Sequence, residues 1–324
     1  MQRRTWLVAA TIAAGLCAAA PAARADRYPS RPVRIVVPYA TGGGSDILAR
    51  QIGAVLQRAW GQGVVVENKA GASGNTGTLE VVRAPADGYT LLLQNSTMVT
   101  QLGVAGKLPY DAEKDLTPIL LLGITPIALA AHPDARIGNV AELVAAARAR
   151  PGALSYGSCG IGTPQHFVME LVKQQTGVAA AHAGYKGCAP ALTDVLGGHV
   201  PLAVVSANLV APYAKSGRLR VVGVSTARRY AQLPDAPTFE EQGLKPFDFS
   251  IWYALMGPAK LPPDIVARLT TDVEKVFADP AVQASLANAG VEPHLGSAQE
   301  LARLIKSDAA RYLQLAKSAD IKAE

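Results

Sequence analysis

Two glycine-rich segments of this 324-residue chain have residue types suited to holding an anion. Residues 39–46 read YATGGGSD, and residues 158–166 read SCGIGTPQH. Each follows an apolar, strand-like run and precedes a helical pattern, so each turn is predicted to open a helix. Backbone N–H groups at a helix start attract carboxylates and phosphates. The pair of segments therefore predicts a site for an anionic ligand.

A nucleotide fits the first segment less well than a carboxylate does. The segment lacks the Gly-Lys-Ser/Thr sequence of a Walker A loop and the GxGxxG spacing of a dinucleotide-binding turn. Three consecutive glycines are also compatible with a tight turn that binds nothing. We expect Ser45 or Asp46 to cap the first helix, and Thr163 to cap the second with Pro164 at its first position.

Cys159 and Cys188 could supply different chemistry. In an oxidising compartment a disulfide between them would close a loop of about 30 residues and contribute roughly 3.5 kcal/mol. A catalytic thiol at Cys159 with His166 as its base is the less favoured alternative. The cysteines and His166 lack the paired close spacing of zinc sites, so no metal and no cofactor are predicted. A hydrolase is disfavoured as well, since the chain has no G-x-S-x-G elbow.

The first 25 residues have the pattern of a cleavable secretory signal. Arg3 and Arg4 precede an apolar stretch over residues 6–20, and residues 23–25 read ARA, an A-x-A cleavage site. The stretch is too short and too rich in alanine for a membrane anchor. We expect export to the periplasm, by the general secretory route or, given the paired arginines, by the twin-arginine route.

Composition supports a packed, weakly charged mature protein. Hydrophobic residues make up 49% of the chain and charged residues 17%, which excludes a disordered chain. The leader contains three arginines and no acidic residue, so its removal lowers the net charge from +6 to +3. The remaining basic residues alternate with acidic ones on predicted helix faces, so no nucleic-acid surface is predicted.

Apolar runs with strand character alternate with helical patterns along the mature chain, which predicts an α/β fold with a largely parallel sheet. Two further apolar runs, residues 117–132 and 219–226, are interpreted as strands that cross between two lobes. Residues 233–263 are punctuated by Pro and Gly. The predicted strands are residues 33–38, 64–67, 89–94, 154–158, 180–185 and 201–206. The predicted helices are the segment after Ser45, a short helix that follows the Gly-rich turn at residues 70–77, and residues 140–150, 164–177, 189–197, 263–277, 280–288 and 297–319.

Eight short motifs run through the mature chain: YPSRPVRIVVPY from Tyr28, GGGSD from Gly42, VENKAG from Val66, ADGYT from Ala86, LPYD from Leu108, GTPQH from Gly162, YKG from Tyr185 and APALTD from Ala189. Together they resemble the tripartite tricarboxylate transporter substrate-binding receptors, the Bug proteins. The resemblance covers nearly the whole mature chain.

The resemblance implies a two-lobed type II periplasmic binding protein with two mixed, mostly parallel sheets and a two-strand hinge. After a signal peptide at 1–25, lobe 1 would comprise residues 26–124 and 227–324, and lobe 2 residues 125–226. Such a receptor closes on a small carboxylate and delivers it to a two-component membrane permease, without enzymatic activity. We expect a monomer. A periplasmic sensor that docks on a histidine kinase is the alternative function.

The resemblance also implies which residues hold the ligand. In this family, backbone amides, hydroxyls and ordered waters bind the carboxylates from the two glycine-rich loops and from nearby helix starts. The matching positions are Tyr39, Ala40, Thr41 and Gly43 in lobe 1 and Gly160, Ile161, Gly162 and Thr163 in lobe 2, with Ser96 and Thr97 after the third strand and His166 and Ala189 at nearby helix starts.

One departure from the family pattern concerns the ligand. Members that bind amino acids carry an acidic residue at the end of the strand predicted here over residues 202–206, but the stretch 203–208 reads AVVSAN. An ammonium group without a carboxylate partner in a closed cleft is costly. We therefore predict an acid without an amino group, aliphatic or aromatic. The apolar residues Ile161, Val204 and Val205 favour an aromatic ring over citrate as a ligand group, with Val205 a candidate ligand residue. Val205 is also compatible with ordinary strand core.

Overall fold

A computed structural model describes residues 28–321, so the predicted signal peptide lies outside the described residues. The helices are α1 (Gly44–Trp60), α2 (Asn75–Val82), α3 (Thr97–Ala105), α4 (Val140–Ala149), α5 (Pro164–Thr176), α6 (Cys188–Leu196), α7 (Ala207–Lys215), α8 (Pro263–Phe277), α9 (Pro280–Asn288) and α10 (Ala298–Ser318). The strands are β1 (Val33–Val37), β2 (Val64–Asn68), β3 (Thr90–Asn95), β4 (Leu116–Ala131), β5 (Ser155–Ser158), β6 (Ala181–Gly184), β7 (Leu202–Ser206), β8 (Arg220–Val224), β9 (Ser250–Pro258) and β10 (Glu292–Ser297).

The strands form one hydrogen-bonded path in the order β2-β1-β3-β9-β4-β7-β5-β6, with β8 and β10 also pairing with β4. Strand β4 belongs to two sheets. Its first part, residues 116–126, pairs with β9 and β10 in the first sheet, and its last part, residues 127–131, pairs with β7 and β8 in the second. The predicted crossing at 117–132 is therefore a single strand shared by both sheets.

Both sheets are mixed, with a larger antiparallel share than predicted. Parallel pairing is confined to β1 with β2 and β3, and to β5 with β6 and β7. Every pair that includes β4 or β9 is antiparallel. The βα units form the parallel parts. In the first sheet β9 runs against β1, β2 and β3 while β4 runs in their direction, and in the second sheet β4 runs against β5, β6 and β7.

Successive residues of β7 face opposite sides of the second sheet and pack into two different hydrophobic cores. Leu202 and Val204 of β7 pack in the large core, whereas Ala203 and Val205 face a smaller one beneath α6 and α7. Val205 is fully buried and is paired with Ala128 of β4. The structure thus places Val205 in strand core, the second of the two roles considered for it.

A buried serine joins the two chain segments that pass between the sheets. The Ser225 hydroxyl donates to the Phe249 carbonyl and accepts from the Ile127 amide at 3.0 Å. Its backbone amide donates to the Ile127 carbonyl at 2.9 Å, and the Phe249 amide donates to the Ser225 carbonyl at 2.8 Å. This junction links the middle of β4 to the chain that leads into β9.

Four elements lie where the sequence predicted none: α3, α7, β9 and β10. Strand β9 lies inside the stretch noted for its prolines and glycines, yet nearly all of it is buried between β3 and β4. Within residues 28–321 no helix is both long enough and apolar enough to cross a membrane.

Candidate functional site

The first glycine-rich loop connects β1 to α1 and leaves the helix start open. The N-cap residue is Gly43, whose backbone is extended and which offers no side-chain cap. The expected cap at Ser45 or Asp46 is wrong, because both residues lie inside the first turn. Ala40, Thr41 and Gly43 are exposed. The first-turn amides of α1 therefore carry partial positive charge with no capping side chain.

Asp46 holds this loop rather than capping the helix. Its Oδ2 accepts a hydrogen bond from the Gly42 amide at 2.9 Å, and its Oδ1 lies 2.9 Å from Arg50 Nη2. Burial raises the pKa of the Asp46 carboxyl, but the hydrogen bonds from Arg50 and Gly42 outweigh it, and the pKa is lowered. Asp46 is thus a carboxylate that already has its own cation.

Tyr39 anchors the loop to the ends of the neighbouring strands. Its hydroxyl donates to Gln94 Oε1, and Asn68 Nδ2 donates to its carbonyl at 3.1 Å. Burial raises the pKa of the Tyr39 hydroxyl well above its ordinary value, so the hydroxyl remains a donor.

A Cβ atom added to Gly44 would lie 2.4 Å from the Tyr253 hydroxyl. Close packing against Tyr253 therefore requires a glycine at the first position of α1.

The second glycine-rich loop connects β5 to α5 and is capped as predicted. Thr163 is the N-cap, its Oγ1 accepts from the His166 amide at 3.4 Å, and Pro164 occupies the first turn. The Thr163 hydroxyl also donates to the Gly160 carbonyl at 2.8 Å. Gly162 has a φ of +68°, in the left-handed region that favours glycine.

Two polar side chains hold the glycine amides of this second loop. The Gly162 amide donates to His166 Nδ1 at 3.2 Å, and the Gly160 amide donates to Ser158 Oγ at 3.2 Å. Ser158 Oγ lies 2.7 Å from His182 Nε2, and the rings of His182 and His166 stack with centroids 3.8 Å apart. These contacts fix the shape of the loop. They also occupy the Gly160 and Gly162 amides, which were predicted to bind the ligand.

His166 is held neutral by its surroundings. Burial lowers the pKa of His166 to about 3, with smaller contributions from His182 and Lys173. The Glu170 carboxylate, 3.7 Å from His166 Nε2, forms its close contacts elsewhere. Glu170 accepts from Lys173 Nζ at 2.7 and 2.9 Å and from the Tyr156 hydroxyl at 2.7 Å. His166 thus positions the loop as a neutral acceptor.

Cys159 and Cys188 form a disulfide, as predicted, with Cα atoms 4.2 Å apart. The alternative of a catalytic thiol at Cys159 is wrong, because its sulfur is bonded to Cys188. Ser158 and His182 have the distance of a nucleophile and a base, but Ser158 is fully buried and also binds Gly160. The described residues contain no group of three or more His, Cys, Asp or Glu side chains that could hold a metal.

The start of α6 is a second open helix terminus beside this loop. Its N-cap is Gly187, which has a φ of +111° and provides no side-chain cap. Ala189, a candidate ligand residue, is exposed in the first turn. The Gly187 amide donates to the Cys159 carbonyl at 3.1 Å, which places the α6 start next to the loop at 160–163.

Helix α3 brings the two loops to one face. The Thr97 side chain lies beside the Tyr39 hydroxyl of the first loop. Gln101, one turn further along α3, donates from Nε2 to the carbonyl of Gly162 in the second loop at 3.3 Å. A Cβ atom added to Gly162 would lie 2.7 Å from Val104 Cγ2. Residues one turn apart share a helix face about 6 Å apart, so both loops meet on α3.

Both loops were predicted from the sequence, as were the supporting residues Thr163, His166 and Thr97, but other supporting side chains were not. Ser96 is fully buried, whereas Thr97 is half-buried and contacts Tyr39. Gln94 and Asn95 at the end of β3 and Gln101 in α3 were not proposed. The polar sequence QNS that follows the apolar run LLL at residues 91–93 was the available signal.

Comparison with known proteins relates the whole arrangement to one family. A sequence profile described as "Tripartite tricarboxylate transporter family receptor" matches residues 48–321. The chain is similar to BugT of Bordetella pertussis, with 33% identity over 290 residues, which cover 89% of each chain.

Solved structures share the fold along nearly the full chain. The chain resembles Rpa4515 of R. palustris, solved with adipate, with 34% identity and a TM-score of 0.80 over 91% of this chain and 99% of that chain. It also resembles the periplasmic binding protein BugD, with 31% identity and a TM-score of 0.77 over 92% of this chain and 100% of that one. These similarities confirm the predicted two-lobed α/β fold.

Proposed function

The chain belongs to the tripartite tricarboxylate transporter receptor family, and from that premise we propose that it is a periplasmic receptor that closes on a small carboxylate and delivers it to a two-component membrane permease. Family membership confirms the resemblance seen in the sequence. It also confirms the prediction of a receptor rather than an enzyme, since the relatives are receptors.

The observation that carries the proposal is that the two glycine-rich loops meet on α3, each beside an open helix start. The first turn of α1 and the first turn of α6 both lack a capping side chain. The loop at 160–163 lies between α6 and α3 through its contacts with Cys159 and Gln101. Amides of these starts would bind carboxylate oxygens directly or through water, with no Lys or Arg required.

The carboxylates near these loops support a ligand without an amino group. Asp46 pairs with Arg50, and Glu170 pairs with Lys173. The end of β7 carries Ser206, whose Oγ lies 3.5 Å from Gln165 Nε2. A ligand ammonium would therefore compete with cations already bound to these acids. Rpa4515, the relative solved with adipate, holds an acid of the proposed type.

We place lobe 1 at residues 26–124 and 227–324 and lobe 2 at residues 125–226. Strand β4 and the chain after β8 would form the hinge, with Ser225 joining them. Residues 1–25 supply the signal pattern that supports a periplasmic location, and the relative BugD is a periplasmic binding protein. We expect the receptor to act as a monomer.

Isothermal titration calorimetry of the mature protein tests this function. The panel contains adipate, malate, citrate, benzoate, nicotinate, aspartate and glutamate, after unfolding and refolding to remove any retained ligand. We expect micromolar or tighter binding of at least one acid without an amino group, which corresponds to about −8 kcal/mol. Tight binding of aspartate or glutamate alone would contradict the proposed ligand class, and binding of no acid would contradict the function.

A further inference from the structure

We propose that the Cys159–Cys188 disulfide is a positioning element of the ligand site. It holds the open start of α6 beside the loop at 160–163, so that α6 presents its first-turn amides to a ligand carboxylate that lies against this loop. The inference rests on the proposed function, because it assigns a role within that site.

The disulfide lies where two ligand-facing segments begin. Cys159 follows β5 directly and opens the loop at 160–163, whereas Cys188 is the first residue of α6. Gln165 Nε2 lies 3.6 Å from the Cys188 sulfur, and the Cys159 sulfur lies 3.9 Å from the Val204 carbonyl. The crosslink therefore has neighbours from α5 and β7 and joins the first residue after β5 to the start of α6.

The start of α6 has few other anchors to this loop. The turn at 185–187 ends in Gly187, whose positive φ leaves it conformationally permissive. Two residues further along, Ala189 is exposed, and Pro190 has no backbone N–H to donate. The backbone amide of Gly187 donates one hydrogen bond to the Cys159 carbonyl, and Gly187 is a conformationally permissive residue.

Tyr185 is held by hydrogen bonds that do not depend on the disulfide, so loss of the disulfide should change only the nearby start of α6. Its amide donates to the Ser158 carbonyl at 3.1 Å, and its hydroxyl donates to Asp194 Oδ2 at 2.6 Å. Loss of the crosslink should therefore leave β6 and the body of α6 in place. It should free the first turn of α6, where the amides of residues 188 and 189 lie.

Affinity should then depend on the oxidation state of the protein. A dithiol such as dithiothreitol reduces the bond, since two electrons and two protons convert it to two thiols while the dithiol becomes a cyclic disulfide. The oxidised form holds the start of α6 at a fixed distance from the loop at 160–163. The reduced form has to order the α6 start when the carboxylate binds, which weakens binding.

The test compares the Cys159→Ser/Cys188→Ser double variant with wild type and with Leu269→Ala. Leu269 is a fully buried residue of α8, so its truncation destabilises the protein without touching either loop. Hydrogen–deuterium exchange is followed at residues 159–163, 185–190 and 39–46. Calorimetry with adipate and with the other acids of the panel gives the affinity.

We expect the double variant, and wild type reduced with dithiothreitol, to exchange at least tenfold faster at residues 185–190 and to bind the acid at least tenfold more weakly. Exchange at 39–46 should remain unchanged, and Leu269→Ala should match wild type in both measurements. Unchanged exchange at 185–190, or faster exchange with unchanged affinity, would overturn the inference. If wild type binds no acid, the proposed function fails, and the exchange result still decides whether the disulfide positions α6.

Discussion

Individual contacts set the shape of the first glycine-rich loop, and the closest of them is the packing of Gly44 against Tyr253. A Cβ atom there would lie 2.4 Å from the Tyr253 hydroxyl and 2.9 Å from the ring carbon that bears it. Tyr253 is buried and its hydroxyl lies 3.2 Å from Thr125 Oγ1, so it has little room to move. An added methyl group must therefore displace the start of α1.

Gly44→Ala should weaken ligand binding at least tenfold and lower the free energy of unfolding by about 1–3 kcal/mol, the usual effect of overpacking. The matched control is Gly63→Ala, because a Cβ atom there would meet Pro32 at an ordinary 3.6 Å. Calorimetry and urea unfolding measure both variants. Equal behaviour of the two variants would show that the Tyr253 contact does not position α1.

His166 makes the stability of the second loop depend on pH. Its native pKa is about 3, whereas the unfolded value is near 6.5. Between these values the unfolded chain binds more protons than the native protein, so the free energy of unfolding falls as the pH is lowered from about 6.5 towards 3. Burial also lowers the pKa of His182, which adds to the loss in the same direction.

His166→Asn should reduce this acid sensitivity. The Asn oxygen can replace Nδ1 as acceptor for the Gly162 amide, while the titrating ring is removed. Between pH 6.5 and 4 the variant should lose less stability than wild type, by up to about 1.4 kcal/mol per pH unit. Urea unfolding at several pH values measures the slope. The exposed His199→Asn should keep the wild-type slope, and an unchanged slope in His166→Asn would contradict a neutral buried His166.

At the scale of elements, the crossing between the sheets depends on Ser225. Its hydroxyl accepts a hydrogen bond from the Ile127 amide and donates one to the Phe249 carbonyl, and the residue is fully buried. Ser225→Ala would leave both backbone groups without that partner. We expect the free energy of unfolding to fall by about 1–3 kcal/mol, the usual effect of a buried unsatisfied group.

The exposed Ser216→Ala is the matched control for this change. Ser216 Oγ donates only to carbonyls of the last turn of α7, at 3.1 and 3.2 Å, so its loss should change stability by less than about 0.5 kcal/mol. Urea unfolding compares the two variants. A Ser225→Ala protein as stable as Ser216→Ala would show that the junction does not hold the crossing together.

Elements with local signals were predictable from the sequence, and those formed by distant pairing were not. Thr163 and Pro164 marked the start of α5 correctly, because cap and first-turn residues act locally. At α1 the polar residues after three glycines misled the assignment, since Gly43 itself is the N-cap. Strand β10 reads EPHLGS, is largely exposed and shows no apolar alternation, so only its pairing with β4 makes it a strand.

At the scale of the molecule, the two loops were predictable but their meeting point was not. Both loops carry glycine, cap and turn residues in a short stretch, which a sequence displays directly. The side of α3 that joins them is defined by Thr97 and Gln101, whose contacts with Tyr39 and Gly162 exist only after folding. The engagement of the Gly160 and Gly162 amides by Ser158 and His166 likewise depends on packing.

A crystal structure of the mature protein with the tightest-binding acid of the panel tests directly whether the two loops hold the ligand. We expect one ligand carboxylate within about 3.2 Å of an amide of the 39–46 segment or of a water bound to it. A second contact should reach the loop at 160–163 or the start of α6, with both lobes closed on the ligand. A ligand held by Lys or Arg side chains, or bound away from α3 and both loops, would contradict it.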